Sequence, residues 1–531
     1  MAEDRNILSG FKNSSYTNVV GTFLIFILLL VLFISRDTQG ISGRMFWTDE
    51  VYNFETVIQP FWRIPIWTIK SYHMQPPLYY WIGHFVAKIG SDPLTLRSIS
   101  SVFYIIMIGF VMFGLREFQL ATRTFLCFVL IMSPFAAFAA TEFKPYSMAA
   151  LSILVSSVFL YRAMKRPARW LSAVAYGLSA LLLQYSLTLN CFAFGLQMGF
   201  LSVTILYFCS KDGIRQTIKK YSPLIIVSVP LCIEYTVFLN VLRHTGQILF
   251  PTSTLQFHMD NYIKALLTNI KIFKEDILFI RSWALSFAPA ALLLGCITGL
   301  RRQRGITAYL ILLLGGQLLF STFMTFSRID WLSERYLVAS YVAFALLCAV
   351  GGEYLFQRMD TKTTVIIIAC LLATTLPGSV IKFYSSLNTP VFNPVKDAVE
   401  TLRCSDYPTA VITDPLHDSI VPGYAYRKDP LIFVPYSRLM TVRNEPDPTE
   451  KILQLASKKY CFILMERVHH KVYSGKVHKI LSSLPGYSGK EYSITPGMNI
   501  PDSAWVFTPS EVEIDVKKNK QTAIGNETPG F

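Results

Sequence analysis

Thr17–Ser35 reads TNVVGTFLIFILLLVLFIS, an unbroken apolar run without a single charge. As a helix it would be ~28 Å long, close to the ~30 Å hydrocarbon core of a bilayer. No polar face is left for solvent, so the run does not fit the surface of a soluble domain. Similar windows recur near 96–115, 124–140, 145–162, 170–187, 189–208, 222–241, 282–300, 306–325, 336–355 and 363–382, predicting about eleven membrane-spanning helices. The composition agrees. Of 531 residues, 52% are hydrophobic and only 16% charged, against about a quarter charged in soluble domains. Mean hydropathy is +0.41. Soluble, disordered and collagen-like classes are excluded.

The formal net charge of +15 would suggest nucleic acid in a soluble protein, but here its distribution is topological and no nucleic-acid partner is expected. Short loops between the windows read YRAMKRPAR (161–169), SKDGIRQTIKK (210–220), RRQR (301–304) and QRMDTK (357–362). They alternate with loops that are longer or that carry acidic and aromatic residues. This is the positive-inside pattern, which retains Lys and Arg on the cytoplasmic face. No small-residue cleavage site follows the first run, so it is read as a retained span with a cytoplasmic N-terminus. An odd number of spans then puts the C-terminus on the external side. Residues 36–95 and 242–281 form the long outer loops.

After Tyr384 the apolar windows stop. Residues 1–384 are expected to form the membrane domain and 385–531 an external α/β domain. In the latter, strand-like runs TAVITD (409–414), LIFVPY (431–436) and YCFILME (460–466) alternate with helical stretches TEKILQLASK and SGKVHKILSSL, predicting a largely parallel sheet. The end, VKKNKQTAIGNETPGF, reads as a disordered tail. Of nine cysteines, seven fall in or beside the apolar windows, where a free thiol packs as a small hydrophobe. Cys404 and Cys461 lie in the external domain and are able to pair if that compartment is oxidising. No CxxC or His-Cys cluster marks a metal site. The adjacent His469 and His470 point apart and are read as surface residues.

Chemistry is sought where polar residues stand beside the membrane without a topological reason. The first outer loop begins RMFWTDEVYNF, with Asp49 and Glu50 ahead of Val51, Phe54, Val57 and Phe61 at helical spacing. Acidic residues also favour helix N-termini electrostatically, and Thr48 is a good cap, so capping accounts for either carboxylate alone. The same loop continues SYHMQPPLYYWIGHF, where two prolines set a rigid helix start. His73 and Gln75 precede them. The next outer turn, FAATEFKPYSMAA (138–150), puts Glu142, Lys144 and Tyr146 between two apolar helices. Charges there are expensive unless they pair or face a cavity. Mutual neutralisation of Glu142 and Lys144 is the plain structural reading. A later turn, SRIDWLSERYLVASY (327–341), places Arg335 and Tyr336 at the end of a span, where an arginine also snorkels.

W-x-D-E, then P-P-L-Y-Y, then E-x-K-P-Y, then E-R-Y together resemble the GT-C superfamily of membrane glycosyltransferases. Within it the chain is similar to the branch of bacterial protein O-mannosyltransferases, lipid A aminoarabinose transferases and Rgt-type galacturonosyltransferases. The resemblance covers the whole length and implies a sugar donor on a polyprenyl-phosphate carrier, used on the external face of a bacterial inner membrane. By position it implies Asp49 as the catalytic aspartate with Glu50 as its partner, and Glu142 with Lys144 as the second-loop acid and base. Arg335 and Tyr336 match a late motif near the carrier phosphate. His73, Gln75 and Tyr146 are expected at the substrate. Two positions depart from the pattern: the family more often has Arg where Lys144 stands, and His directly before Pro-Pro, where this chain has Gln75.

The chemistry is coherent on its own terms. Outside the cytoplasm an activated sugar must ride on a lipid, and cations such as Lys144 and Arg335 suit a departing phosphate. One carboxylate suffices as base for direct, inverting attack by an acceptor hydroxyl of a glycolipid, lipopolysaccharide or protein. Metal dependence is left open by the sequence, since Asp49 and Glu50 are also able to hold a divalent cation through oxygen. The competing class is a transporter or flippase of lipid-linked sugars, which would favour charges near the midplane and paired broken helices. The W-W-D-x-G of oligosaccharyltransferases is absent. A reporter fused after residue 384 is expected to be active only outside the cytoplasm; cytoplasmic activity would overturn the topology and the external placement of Asp49.

Overall fold

The structure, a computed structural model, describes residues 16–37, 48–70, 75–244, 259–277, 287–302, 304–327, 334–387, 402–404, 407–413, 432–435, 448–466, 471–493 and 503–509. Two compact units divide the chain: residues 1–41, 56–88 and 94–389 in one, and 42–55, 89–93 and 390–531 in the other. The helices run α1 (Tyr16–Asp37), α2 (Thr48–Val57), α3 (Ile64–Lys70), α4 (Leu78–Ile89), α5 (Pro93–Gly109), α6 (Leu120–Met132), α7 (Pro134–Thr141), α8 (Tyr146–Lys165), α9 (Trp170–Ser186) and α10 (Asn190–Asp212). They continue as α11 (Ile214–His244), α12 (Met259–Ile272), α13 (Phe287–Arg302), α14 (Arg304–Ser327), α15 (Val338–Phe356) and α16 (Thr361–Leu387). Among the described residues six helical segments are long and apolar enough to cross a membrane: Pro93–Gly114, Tyr146–Lys165, Asn190–Asp212, Ile214–Phe238, Arg304–Thr322 and Arg335–Phe356. The last is the most enclosed, ringed by the rest of the bundle. Its partner α13 approaches without side chains between: a Cβ on Gly295 would lie 1.9 Å from the Leu347 carbonyl oxygen, and one on Gly351 2.0 Å from that of Ala291. Small residues serve this purpose in lipid, where close van der Waals packing replaces the hydrophobic drive.

The apolar window at 124–140 is not one straight helix in the structure. It is a pair of helices, α6 and α7, bent by 71°. Pro134 explains the break: its missing N–H cannot reach the Leu130 carbonyl, and its ring pushes Ser133 out of the helical region. Ser133 adopts φ −66°, ψ 138° and its hydroxyl accepts from Phe135 N at 3.3 Å, capping α7. Two carbonyls are thereby freed inside an apolar bundle, where an unmet acceptor is costly. Leu130 O receives the hydroxyls of Tyr104 (2.7 Å) and Tyr341 (2.8 Å), which also lie 2.6 Å from each other. Ile131 O receives the Arg36 guanidinium. Helices α1, α5 and α15 thus all bond to the break.

At the opposite end of α8, Arg162 has more than a topological role. Its guanidinium grips Glu117 at 2.5 and 2.7 Å and the Gly114 carbonyl at 2.5 Å. Burial alone would raise the Glu117 carboxyl, but the hydrogen bonds and charge of Arg162 hold it below its ordinary value.

In the second unit, strands β1 (Thr409–Thr413), β2 (Ile432–Pro435), β3 (Cys461–Glu466), β4 (Tyr487–Ser493) and β5 (Ser503–Pro509) form one sheet in the order β2-β1-β3-β5-β4. Helices α17 (Pro448–Ala456) and α18 (Lys471–Ser482) cover it, burying Ile452, Leu455, Val477 and Leu481 against Ala410, Ile412, Phe462 and Leu464. The expectation of a largely parallel sheet holds for β2-β1-β3 and fails beyond, where β3-β5 and β5-β4 are antiparallel. The edge strand β4, YSGKEYS, is polar, as edges that must not aggregate tend to be, so it left no apolar signal. Cys404 and Cys461 form a disulfide across 57 residues, a loop whose closure removes ~4 kcal/mol of unfolded-chain entropy in the simplest treatment. The tail, and His469 with His470, lie outside the described residues.

Either tyrosine alone satisfies Leu130 O, so their losses should not add. Tyr104→Phe and Tyr341→Phe should each cost little, while the double variant strands the carbonyl and loses ~1–3 kcal/mol. Thermal unfolding in detergent measures this; two equal, additive losses would contradict it.

Candidate functional site

The P-P-L-Y-Y segment starts α4 abruptly. Pro76 and Pro77 are buried, Trp81 N donates to Pro77 O at 2.9 Å, and the helix begins at the next residue, Leu78. Proline is suited to this position because its N–H would be unpaired there anyway. Half-buried Gln75 presents its Oε1 to the backbone N–H of Thr188 at 3.2 Å, in the turn between α9 and α10. One turn into α4, Tyr79 is fully buried. Its hydroxyl lies 2.9 Å from Ser100 Oγ, and Ser100 Oγ donates to the carbonyl of Lys144 at 3.0 Å. With the one serine proton directed at Lys144, the tyrosine is the donor of the first bond. Its ring also packs on Phe143, 5.6 Å between centroids, and Gly83 leaves room for that ring.

The E-x-K-P-Y segment is therefore clamped from below by P-P-L-Y-Y. Glu142 ends α7 in an extended conformation (φ −103°, ψ 142°), and Lys144 N donates back to Glu142 O at 2.7 Å. Pro145 then starts α8, its carbonyl accepting from Ala149 N at 2.8 Å. Ser101 Oγ holds the preceding carbonyl, Ala140 O, at 2.7 Å. The Tyr146 ring packs against Phe138 in a tilted arrangement, 5.4 Å between centroids. A polar outer loop would leave these groups in water. Instead Glu142, Lys144 and Tyr146 are only 6%, 4% and 6% exposed, so a carboxylate and an ammonium are both held out of bulk solvent, where electrostatic effects on a bound group are strongest.

Arg335 and Tyr336 stand in a short 3-10 turn, Glu334–Leu337, between α14 and α15. Gln317 Nε2 and Ser321 Oγ both donate to the Tyr336 carbonyl, at 2.7 and 3.1 Å. Both side chains are half-buried, with the guanidinium 5.5 Å from the centre of the tyrosine ring. This turn packs against α7 at the end of the bundle that carries Glu142.

Asp49 lies in the first turn of α2, where the spacing predicted a helix, but its side chain is outside the described ones. Glu50, beside it, is completely buried. His73 falls outside the described residues. Glu234 lies half-buried in α11. Among the described residues no three His, Cys, Asp or Glu side chains converge as a metal site. Sequence reading missed Arg97, which is completely buried one turn before Ser100 on α5. A cation just inside an apolar run was the available signal, since such a charge is retained only where it is matched.

No known protein family and no curated protein matches the sequence. Solved structures do match. ArnT from Cupriavidus metallidurans, crystallised with undecaprenyl phosphate, superposes with a TM-score of 0.55 at 13% identity, over 93% of this chain and 98% of that one. Its apo form gives 0.52 at 13% identity, over 93% and 99%. An archaeal oligosaccharyltransferase, AglB from Archaeoglobus fulgidus in complex with an inhibitory peptide and a dolichol-phosphate, gives 0.50 at 12% identity, over 95% and 76%. The chain has the GT-C fold. At these identities the likeness establishes the fold and leaves residue roles to chemistry.

The GT-C bundle of this chain seats Lys144 through Ser100 and Tyr79, which a double-mutant cycle tests. Ser100→Ala and Tyr79→Phe should each lose ~1 kcal/mol and couple by at least ~0.5 kcal/mol, because they share one chain of hydrogen bonds. Strictly additive losses in thermal unfolding would show that the chain does not act as a unit.

Proposed function

We propose that this protein is a membrane glycosyltransferase that moves a sugar from a polyprenyl-phosphate carrier to an acceptor hydroxyl on the external face, inverting the anomeric carbon. The observation that carries the reading is the clamp of one motif by the other within a GT-C fold: Tyr79 and Ser100 seat the turn that holds Glu142 and Lys144. Structures sharing the fold hold undecaprenyl phosphate or dolichol-phosphate, the carrier class proposed here.

In the proposed reaction the acceptor oxygen attacks the anomeric carbon as the bond to the carrier phosphate breaks. Asp49 takes the hydroxyl proton, and polyprenyl phosphate leaves with the electron pair. Lys144 and Arg335 neutralise its growing charge, with Tyr336 beside them. Glu50 and Glu142 orient sugar or acceptor, and His73, Gln75 and Tyr146 contact substrate. No step is routed through a metal. About eleven spans, a cytoplasmic N-terminus and an external 385–531 domain in a bacterial inner membrane complete the proposal. The Cys404–Cys461 disulfide supports the external placement, since such bonds persist in oxidising compartments. A transporter would use the broken helix α6–α7 to hold an ion or substrate. Here the freed carbonyls of Leu130 and Ile131 are occupied by Tyr104, Tyr341 and Arg36, which favours the enzyme.

Asp49→Asn keeps the shape and capping ability of the side chain but removes the base. It should fold normally and lose 10²–10⁴-fold or more in transfer from a polyprenyl-phosphate donor, the usual worth of a positioned base. Near-normal transfer would move the role to Glu50 or Glu142. Lys144→Ala and Arg335→Ala should both impair turnover with the fold intact, and Arg335→Lys should restore only part, because an ammonium cannot make a bidentate fork. Full activity in both alanine variants would contradict the phosphate assignment.

A further inference from the structure

Helix α12 lies in the second long outer loop, and the proposed reaction uses none of it. One face is fixed to the bundle: Ala265, Asn269 and Phe273 are buried, and Asn269 Nδ2 donates to Thr322 Oγ1 of α14 at 3.0 Å. Thr322 stands ~27 Å along α14 from Arg304, about one bilayer core from the basic start of that helix. That bond therefore sets α12 at the depth where apolar span gives way to headgroups.

The opposite arc of α12 remains exposed and has two edges. Ile263, Leu267 and Ile270 form an apolar one, 46%, 60% and 45% exposed. Lys264 and Lys271 form the other, two turns and ~10 Å apart along the axis. A shallow cleft of 380 Å³ runs between the edges, lined by Ile263, Lys264, Leu267, Thr268 and Lys271. Lys274 follows on the exposed side, and over 259–277 the three lysines share the helix with Asp260, Glu275 and Asp276, which stand towards its two ends. Among the described residues Lys264 and Lys271 make no ion pair.

We infer that this ledge binds an anionic phospholipid, with the headgroup phosphate between Lys264 and Lys271 and an acyl chain against Ile263 and Leu267. Each half of the cleft suits one half of the lipid. Apolar side chains at headgroup depth favour acyl chain over water, and paired ammonium groups favour a phosphodiester carrying net negative charge over a zwitterion. The arrangement is that of an interfacial helix, with the difference that its third face is fastened to a span, so the lipid is held at a fixed place on the bundle.

The test is native mass spectrometry of the full chain released from bilayers of phosphatidylcholine with one-fifth phosphatidylglycerol. Wild type should retain phosphatidylglycerol in preference to phosphatidylcholine. The double variant Lys264→Gln/Lys271→Gln should lose that preference about tenfold or more, at roughly one order of magnitude for two surface lysines. Lys264→Arg/Lys271→Arg should keep it, and Lys211→Gln/Lys219→Gln, at the other end of the bundle, should leave it unchanged. Undiminished retention in the Lys264→Gln/Lys271→Gln protein, or equal loss in the distant pair, would overturn the site. Displacement of phosphatidylglycerol by equimolar undecaprenyl phosphate from wild type alone would assign the ledge to the carrier instead. Sugar transfer is not part of the readout, so failure of the proposed enzyme activity would leave this test intact.

Discussion

The structure turns on one missing hydrogen bond. Pro134 cannot donate to Leu130 O, and the loss bends the α6–α7 segment by 71° in the middle of an apolar bundle. Freed carbonyls in lipid demand partners, and three helices supply them through Tyr104, Tyr341 and Arg36. The bend therefore acts as a hub rather than a hinge. It aims the short α7 so that the chain emerges at Glu142, turns through Phe143 and Lys144, and starts α8 at Tyr146. A straight helix of the same residues would carry those charges elsewhere.

The consequence of that placement is electrostatic. A carboxylate and an ammonium in the Glu142–Lys144 turn, and a guanidinium at Arg97, are all nearly or wholly buried. Each would be expensive alone. Their backbone surroundings are correspondingly firm: Ser100 and Ser101 on α5 hold Lys144 O and Ala140 O, and Tyr79 on α4 holds Ser100. Rigid seating of charge in a dry setting lets a site stabilise a departing anion without first reorganising.

Much of this was legible in the sequence, and unevenly so. Uniform apolar runs identify helices because a span needs no amphipathic stripe, and α1, α8, α10 and α15 fall where those runs predicted. The bend at Pro134 was missed because hydropathy continues through it unchanged; only the Ser-Pro pair betrays it. The strands β1, β2 and β3 were found by their apolar cores, while β4, a polar edge, offered no such signal. In the site, the motifs E-x-K-P-Y and P-P-L-Y-Y were visible as separate segments. Their physical union through Ser100 was not, since a lone serine inside an apolar helix looks like any other. Arg97 was passed over as the edge of a span.

The central claim is that the chain transfers a carrier-linked sugar, and mass spectrometry of envelope glycolipids and polyprenyl-phosphate sugars from cells with and without the gene tests it most directly. Without the gene, one glycan or lipid species should lose a single sugar mass while the sugar-charged carrier accumulates. Unchanged glycan masses with an unchanged carrier pool would contradict the claim.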